Sequence, residues 1–564
     1  MAELKTHITF LLLGFFLSFV PCSLKADERI HVHTDRNLYI SGETMFFSLY
    51  LYTQDSTQPS LSSVAYMLCR DAQENSVATL TMQVDNGVFY GSLYLNDTLP
   101  TGNYLLTVFT NSTKNSGRSA CFDKWFTVVN RFDKLNGLLY LPVSETNTPL
   151  SPEISVSTDS SHYSPNDSIY VTISPSEAFA GKRLSLSLAI NLHQPLLETD
   201  SAKSLVQNGS SELLIQKRFI PETSGKVLSG KVVNKTTGSG IPDCCVLLSA
   251  IDSLVNLKYC FTDKEGNFSF LMTDYYKQKT LTLRILQKIL DPSWQLTVDD
   301  PFKHVTMSVP RLQMASEEQM QFVRLCRDLA HIHKIYGTGD AIERIPLKIA
   351  KSVCPLLYSK ADYSIKPSQY QAFPDFIEIA RNLLPSIRTR SQQGKLIIEN
   401  TTSIAKGLKQ TQPDIFLNGI FTQNPEQIIG LGSDQIDHIE VTDRQLVCGK
   451  LLFNSTLAIF TKEPVETSTY APNVLIINTA NEFIEPSVLK SASVALPDVL
   501  PNFKNLLAWQ AGVSLPKGDV FRFGFVASQL SGVYEIKVEG IADGERLVQA
   551  SSFIIVKQQG IKKP

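Results

Sequence analysis

The sequence is short of tryptophan, with three residues, and carries no basic run and no nucleophile or phosphate-loop motif. Each shortage closes a class of function. A formal net charge of −2 without clustered Lys and Arg gives no pull toward a phosphate backbone or anionic lipid. No G-x-S-x-G elbow, P-loop or dinucleotide fingerprint occurs, and Gly430-Leu431-Gly432-Ser433 is only a fragment of an elbow. Past residue 20 no apolar stretch reaches the roughly 18 residues a spanning helix needs. Three tryptophans also supply few of the aromatic platforms on which a glycan binder relies. Nine cysteines are too thin a set for a disulfide-built scaffold, and their spacings match no zinc pattern. Cys244 and Cys245 are adjacent, and either could face Cys260 across a hairpin. Burial as small apolar residues is the equal alternative.

What is present reads as a folded, exported, multi-domain chain. At 564 residues it exceeds what one core can serve, so three to five domains of roughly 100–200 residues are expected. An apolar fraction of 43% and a charged fraction of 19% are those of globular proteins. At the N-terminus, Lys5 and His7 precede an apolar run over 8–20 that Pro21 breaks, too short for a span and suited to a signal-peptide core. Cleavage after Ala26 gives a signal peptide over 1–26. Cys22 offers lipid attachment instead, but Pro21 sits where that reaction wants a small residue. The chain is therefore expected to be exported.

Short strands with turn signals every 8–12 residues dominate the rest, so the expected fold is mainly β, built from serial sandwiches. In 30–52 two strands flank a corner at Ser41-Gly42-Glu43, where Gly42 supplies the permissive backbone position. A first sandwich is expected over 27–130. A Ser/Thr/Pro-rich connector follows, and a second sandwich over 150–220 repeats the grammar at Tyr163-Ser164-Pro165-Asn166-Asp167-Ser168. A smaller β unit spans 226–310, with a turn at Asp263-Lys264-Glu265-Gly266. Ser316, followed by Glu317 and Glu318, caps a helix over 314–336 whose apolar residues recur at helical spacing. An α+β unit over 365–465 holds an Asn418-Gly419 hairpin and a short helix near Phe376. A last sandwich is expected over 468–560.

These strings carry a resemblance. T-D-R-x-x-Y-x-x-G-E-T at 34–44, L-P-x-G-x-Y at 99–104 and S-G-x-Y-x-I-x-V-E-G at 531–540 resemble macroglobulin-type sandwiches of large Bacteroidetes envelope proteins. The G-x-V, G-I-P and T-D-x-x-G-x-F strings over 230–268 are similar to the carboxypeptidase regulatory-like domain, a transthyretin-like module that does not catalyse. Residues 415–462 look like the plug domain of TonB-dependent receptors. Asn418, Cys448 and Ser455 depart from that pattern, and no series of about 20 amphipathic strands follows to make a barrel. The thioester string of protease-trapping macroglobulins is missing too, with Cys448-Gly449-Lys450 the nearest approach.

Other candidate chemistry is sparse. His31 and His33 share one face of a strand and could hold a metal with a third ligand, although a surface pair is the expected reading. His331 and His333 sit two apart on a helix and diverge. Asp263 and Glu265 fit a hairpin turn better than a calcium loop. No catalytic, cofactor or metal residue is therefore assigned, and no cofactor is expected. The resemblance implies a non-enzymatic scaffold or accessory protein of the periplasm or outer membrane, in an outer-membrane-associated complex. Its partner would be a protein, a TonB-dependent transporter among the candidates, and its plug-like segment would dock. A glycan- or nutrient-binding protein feeding a transporter, and a hydrolase with an unrecognised site, are the alternatives.

Overall fold

A computed structural model describes residues 28–53, 61–117, 120–134, 140–142, 153–179, 181–193, 219–252, 255–272, 280–286, 291, 293–303, 312–337, 341–347, 356–392, 395–407, 411–422, 424–463, 474–479, 483–490, 502–516 and 519–557. The signal-peptide and Cys22 expectations, and Cys354, lie outside these residues. The fold is mainly β. Strand formation follows from alternation. In Ser168–Pro175 the residues Ile169, Val171 and Ile173 are buried while Ser168 and Tyr170 face outward.

Residues 28–134 fold as a sandwich of a three-stranded and a five-stranded sheet. The three-stranded sheet runs Glu28–Thr34, Thr44–Thr53, Val88–Tyr94. The five-stranded sheet runs Leu38–Ile40, Phe122–Val129, Gly102–Phe109, Val64–Asp71, Ser76–Gln83. Val32, Phe47, Leu49, Met67, Leu106 and Phe126 fill the space between them. Gly42 turns the opening corner at φ +89°.

A second sandwich repeats this plan strand for strand. Its three-stranded sheet runs Ile154–Thr158, Ser168–Pro175, Phe521–Val526. Its five-stranded sheet runs His162–Tyr163, Arg546–Val556, Gly532–Ala542, Leu184–Leu192, Leu506–Leu515. In each copy the second strand pairs parallel with the eighth, and the fourth pairs antiparallel with the seventh. The small devices recur at the same spacings. Asp35 Oδ1 accepts from Tyr39 Oη and from the Phe46 N–H, at 2.7 and 2.9 Å. Asp159 Oδ1 accepts from Tyr163 Oη and from the Tyr170 N–H, at 2.8 and 3.0 Å. Tyr104 Oη donates to the Pro100 carbonyl, and Tyr534 Oη donates to the Leu530 carbonyl, each four residues back. Both are tyrosine corners that pin the start of the seventh strand.

The two copies differ between their fourth and fifth strands. In the first, a tight turn joins them, with the Asp71 carboxylate accepting the N–H groups of Gln73 and Asn75. In the second, the chain leaves the sandwich after Leu192 and returns at Leu506. The separate sandwiches expected over 150–220 and 468–560 are therefore two halves of one domain. Leu186, Leu188 and Ile190 from the first half pack with Val513, Ile536 and Val538 from the second. Alternation tells each strand which face to bury and says nothing of which strand lies beside it. A turn replaced by a long insertion is invisible to local pattern.

The insertion holds two further units. In one, a sheet of Asn267–Met272, Lys226–Asn234 and Trp294–Val298 faces another of Lys258–Phe261, Cys245–Ala250, Thr280–Leu286 and Val474–Asn478. That last strand falls within the 468–560 span expected for the C-terminal sandwich, yet it completes the edge of this unit, pairing antiparallel with Thr280–Leu286. The Asp263 turn forms as a hairpin corner: Asp263 Oδ1 accepts from the N–H groups of Glu265 and Asn267. Gly266 sits at φ +81°, where a Cβ would come 2.5 Å from the Val232 carbonyl oxygen.

The other unit has a five-stranded mixed sheet in the order Tyr363–Ile365, Ile436–Thr442, Thr456–Thr461, Asp414–Leu417, Ile420–Thr422. Asn418 and Gly419 both take positive φ, 50° and 80°, as a type I′ hairpin turn requires. The helix Phe376–Leu383, capped by Asp375, covers one face through Phe376 and Ile379. The other face packs against the preceding unit, where Phe416, Phe421, Ala458 and Phe460 meet Cys245 and Leu247.

The long helix Glu317–Tyr336 starts at a capping box formed by Ser316 and Gln319 and stops at Gly337 in the left-handed region. Its apolar stripe splits. Met320, Val323 and Cys326 pack on Leu38, Ile40 and Val129 of the first sandwich, while Phe322 and Leu325 also reach the second. It is a wedge between two domains rather than a free connector.

Candidate functional site

Two features hold the chemistry-bearing side chains: a sealed seam between the large sandwiches and an exposed hairpin on the mixed-sheet unit. At the seam, the strand Glu28–Thr34 turns Ile30 and Val32 into its own core, so His31 and His33 face out of the domain. The expectation of a surface pair is overturned, because the second sandwich covers that face. His31 Nε2 donates to Glu539 Oε2 at 2.6 Å, and His33 Nδ1 shares a 2.7 Å hydrogen bond with Ser187 Oγ. Ser187 and Glu539 are register partners on adjacent strands of the opposing sheet. Lys537 Nζ reaches Glu539 Oε1 at 3.0 Å, and the Trp509 ring lies 5.1 Å from that of His33.

Burial pushes the His33 imidazole down to about 3, so it is neutral in the folded protein. Burial also opposes the charge on Glu539. The Lys537 ammonium beside the carboxylate and the His31 hydrogen bond outweigh it and hold Glu539 below the usual carboxylate range. A serine, a histidine and a carboxylate thus meet at one place, but all three are fully or almost fully buried. The arrangement ties two domains together. A signal for this burial existed in the sequence: Met45 to Tyr52 runs apolar without alternation, the pattern of a strand covered on both faces.

The other singled-out residues have local roles. His333 Nε2 donates to the Phe503 carbonyl at 2.5 Å, tying the long helix to the second sandwich, while His331 is exposed. Ser433 Oγ accepts from the Phe373 N–H and locks the turn before Ile436–Thr442. Cys69, Cys121, Cys244, Cys245, Cys260, Cys326 and Cys448 are free thiols. Among the described residues no group of three or more His, Cys, Asp or Glu side chains has metal-holding geometry. No described helix is long and apolar enough to cross a membrane.

The exposed hairpin pairs Leu446–Cys448 with Leu451–Phe453. Leu446 and Phe453 turn into the shared core with the neighbouring unit. Their alternates Val447 and Leu452 stand directly opposite each other and are 74% and 55% exposed. The tip is clamped to the edge strand Lys258–Phe261. Tyr259 Oη accepts from the Lys450 N–H at 2.6 Å, and Lys450 Nζ lies 5.4 Å from the Phe261 ring centre. Gly449, at φ +56°, leaves room for that hydroxyl, which a Cβ would meet at 2.0 Å. An apolar pair is thereby presented outward on a stem fixed from beneath. A separate cleft of about 1430 Å³ runs between the large sandwiches, bordered by Asp85, Arg183, Asp543 and Glu545. There the Asp543 carboxylate accepts the Arg183 N–H.

No family model matches the sequence, and no curated protein matches it. Among solved structures, the chain is similar to Salmonella alpha-2-macroglobulin reacted with methylamine, at 11% identity and a TM-score of 0.24. That match covers 94% of this chain and 40% of the other. Escherichia coli alpha-2-macroglobulin activated by porcine elastase gives 10% identity, 94% and 44% coverage, and a TM-score of 0.24. The chain spans less than half the length of these proteins. Scores this low carry no inference about fold or activity.

Proposed function

We propose that this chain is a non-catalytic scaffold of a bacterial cell envelope that acts through protein–protein contacts in an outer-membrane-associated complex. The observation that supports this best is the clamped hairpin with Val447 and Leu452 turned to solvent. Two large aliphatic side chains on a rigid stem cost solvation without serving the core, which fits a surface a partner covers. The plug-like character of 365–465, inferred from its sequence strings, makes an outer-membrane transporter protein the partner class. The interlocked domains suit this role, since a frame that keeps its shape holds a docking surface at a fixed position.

The test is photo-crosslinking in cells, with a benzophenone amino acid at Val447 or Leu452 and at exposed Val520 on the second sandwich as control. The expected outcome is one discrete crosslinked protein from 447 and 452 and none from 520. Equal, diffuse labelling from all three positions removes the support.

A further inference from the structure

The mixed sheet carries a row of oxygens that its packing leaves unused. Asp414 is the register partner of Thr456, and Thr456 is the register partner of Thr442, on three adjacent strands. Directly opposed residues project from the same face of a sheet. Here that face also carries Phe416, Ala458 and Phe460, which pack toward the neighbouring unit. Thr442 and Thr456 are 0% exposed. Asp414 Oδ2, Thr442 Oγ1 and Thr456 Oγ1 are all buried, and none has a hydrogen-bond partner among the described residues. Roughly nine in ten buried polar atoms in folded proteins are hydrogen-bonded, so three unpartnered oxygens at neighbouring register positions on one face point to a ligand.

We propose that Asp414, Thr456 and Thr442 bind one hard monovalent cation. The donors are all oxygen, which disfavours metals that seek nitrogen or sulfur. They bring one carboxylate and two neutral hydroxyls, a single negative charge that a monovalent ion balances. Calcium takes six to eight oxygens and usually several carboxylates. The Asp414 carboxyl also accepts a backbone N–H from Asn454, which leaves Oδ2 as its free oxygen. The other charged groups around this face are engaged. Glu440, two residues before Thr442, accepts from Tyr358 Oη at 2.8 Å. Arg444 pairs with Asp362, and Arg284 from the neighbouring unit donates to the Phe421 carbonyl at 2.6 Å.

The experiment compares the purified full chain in sodium, potassium and choline chloride at one ionic strength, by thermal unfolding and by ²³Na line width. At pH 8.5 sodium is expected to raise the unfolding midpoint by several degrees over choline and to show broadened ²³Na resonance. Asp414→Asn should abolish both. Thr456→Val, close in shape, should weaken sodium binding roughly tenfold. Identical midpoints in sodium and choline at pH 8.5 overturn the proposal, as does a sodium effect that survives in Asp414→Asn. Potassium is expected to shift the midpoint in the same direction as sodium. Should both variants fail to fold, an unbroadened ²³Na resonance with the unaltered chain at pH 8.5 is sufficient to reject it.

Discussion

His31 Nε2 lies 2.6 Å from Glu539 Oε2, joining residues 508 positions apart in the chain. The first described strand is thus tied to the seventh strand of the second sandwich, whose last four strands arrive only after the whole insertion has been made. The bond closes the molecule: it forms only when both ends of the described chain are in place.

Removing the acid should show what this closure contributes. Glu539→Ala leaves His31 and Lys537 facing a buried gap, and loss of one partner of a buried ion pair costs about 3 kcal/mol. Urea unfolding should report a fall of that order. A loss within about 0.5 kcal/mol, typical of surface substitutions, means the seam is open in solution.

The same seam sets a pH dependence. His33 has a folded pKa near 3, below the value of about 6.5 expected unfolded. A depressed histidine contributes stability that is fully present above the unfolded value and drains away as pH falls toward the folded one. Between pH 6.5 and 3 the slope from this group approaches about 1.4 kcal/mol per pH unit. The unaltered protein should therefore weaken on acidification, and His33→Gln should flatten the curve between pH 6.5 and 5. Parallel curves for the two proteins would place His33 in contact with solvent.

Because the second sandwich is split, truncation has a definite outcome. A chain ending at residue 501 lacks the last four strands of that domain and exposes Leu186, Leu188 and Ile190. It should aggregate or bind a hydrophobic dye, and a separately made 502–557 fragment added during refolding should restore a monomer. A soluble, cooperatively folded chain ending at 501 argues against the shared core.

The interface inside the insertion separates apolar packing from charge. Phe416 is fully buried between the two units, and Phe416→Ala should cost about 3–5 kcal/mol. Arg284 lies in the same region, its guanidinium pushed down to about 10 by burial and its Nε without a partner among the described residues. Arg284→Met exchanges a poorly satisfied cation for an apolar chain of similar length and should be neutral within about 1 kcal/mol. Calorimetry of both variants tests the contrast, and a larger loss from Arg284→Met than from Phe416→Ala reverses it.

Local features were legible wherever they depend on neighbours in sequence. The Gly42 corner, the Asp263 turn, the Asn418-Gly419 hairpin and the Ser316 cap all appear where the residue types put them, because each is decided by backbone angles and hydrogen bonds within a few positions. The repeated grammar at Tyr163-Ser164-Pro165-Asn166-Asp167-Ser168 marks a device shared with Tyr39, each tyrosine bonded to an aspartate four residues earlier. What the pattern hid was pairing at a distance. Val474–Asn478 reads as a strand in either unit, and only the free edge beside Thr280–Leu286 decides its place. His31 and His33 alternate like surface residues, because the cover that buries them comes from another domain.

The amino-acid sequence by itself determined that this is a mainly β chain, where its strands and turns fall, and which face of most strands is apolar. These are short-range properties, written in side-chain period and in the φ angles a residue can adopt. Tertiary structure alone decided that one sandwich is divided around an insertion, that a histidine pair is sealed rather than exposed, and that Asp414, Thr456 and Thr442 line up across three strands. Those outcomes depend on which apolar faces and strand edges meet, and such contacts connect residues whose separation along the chain carries no local signature.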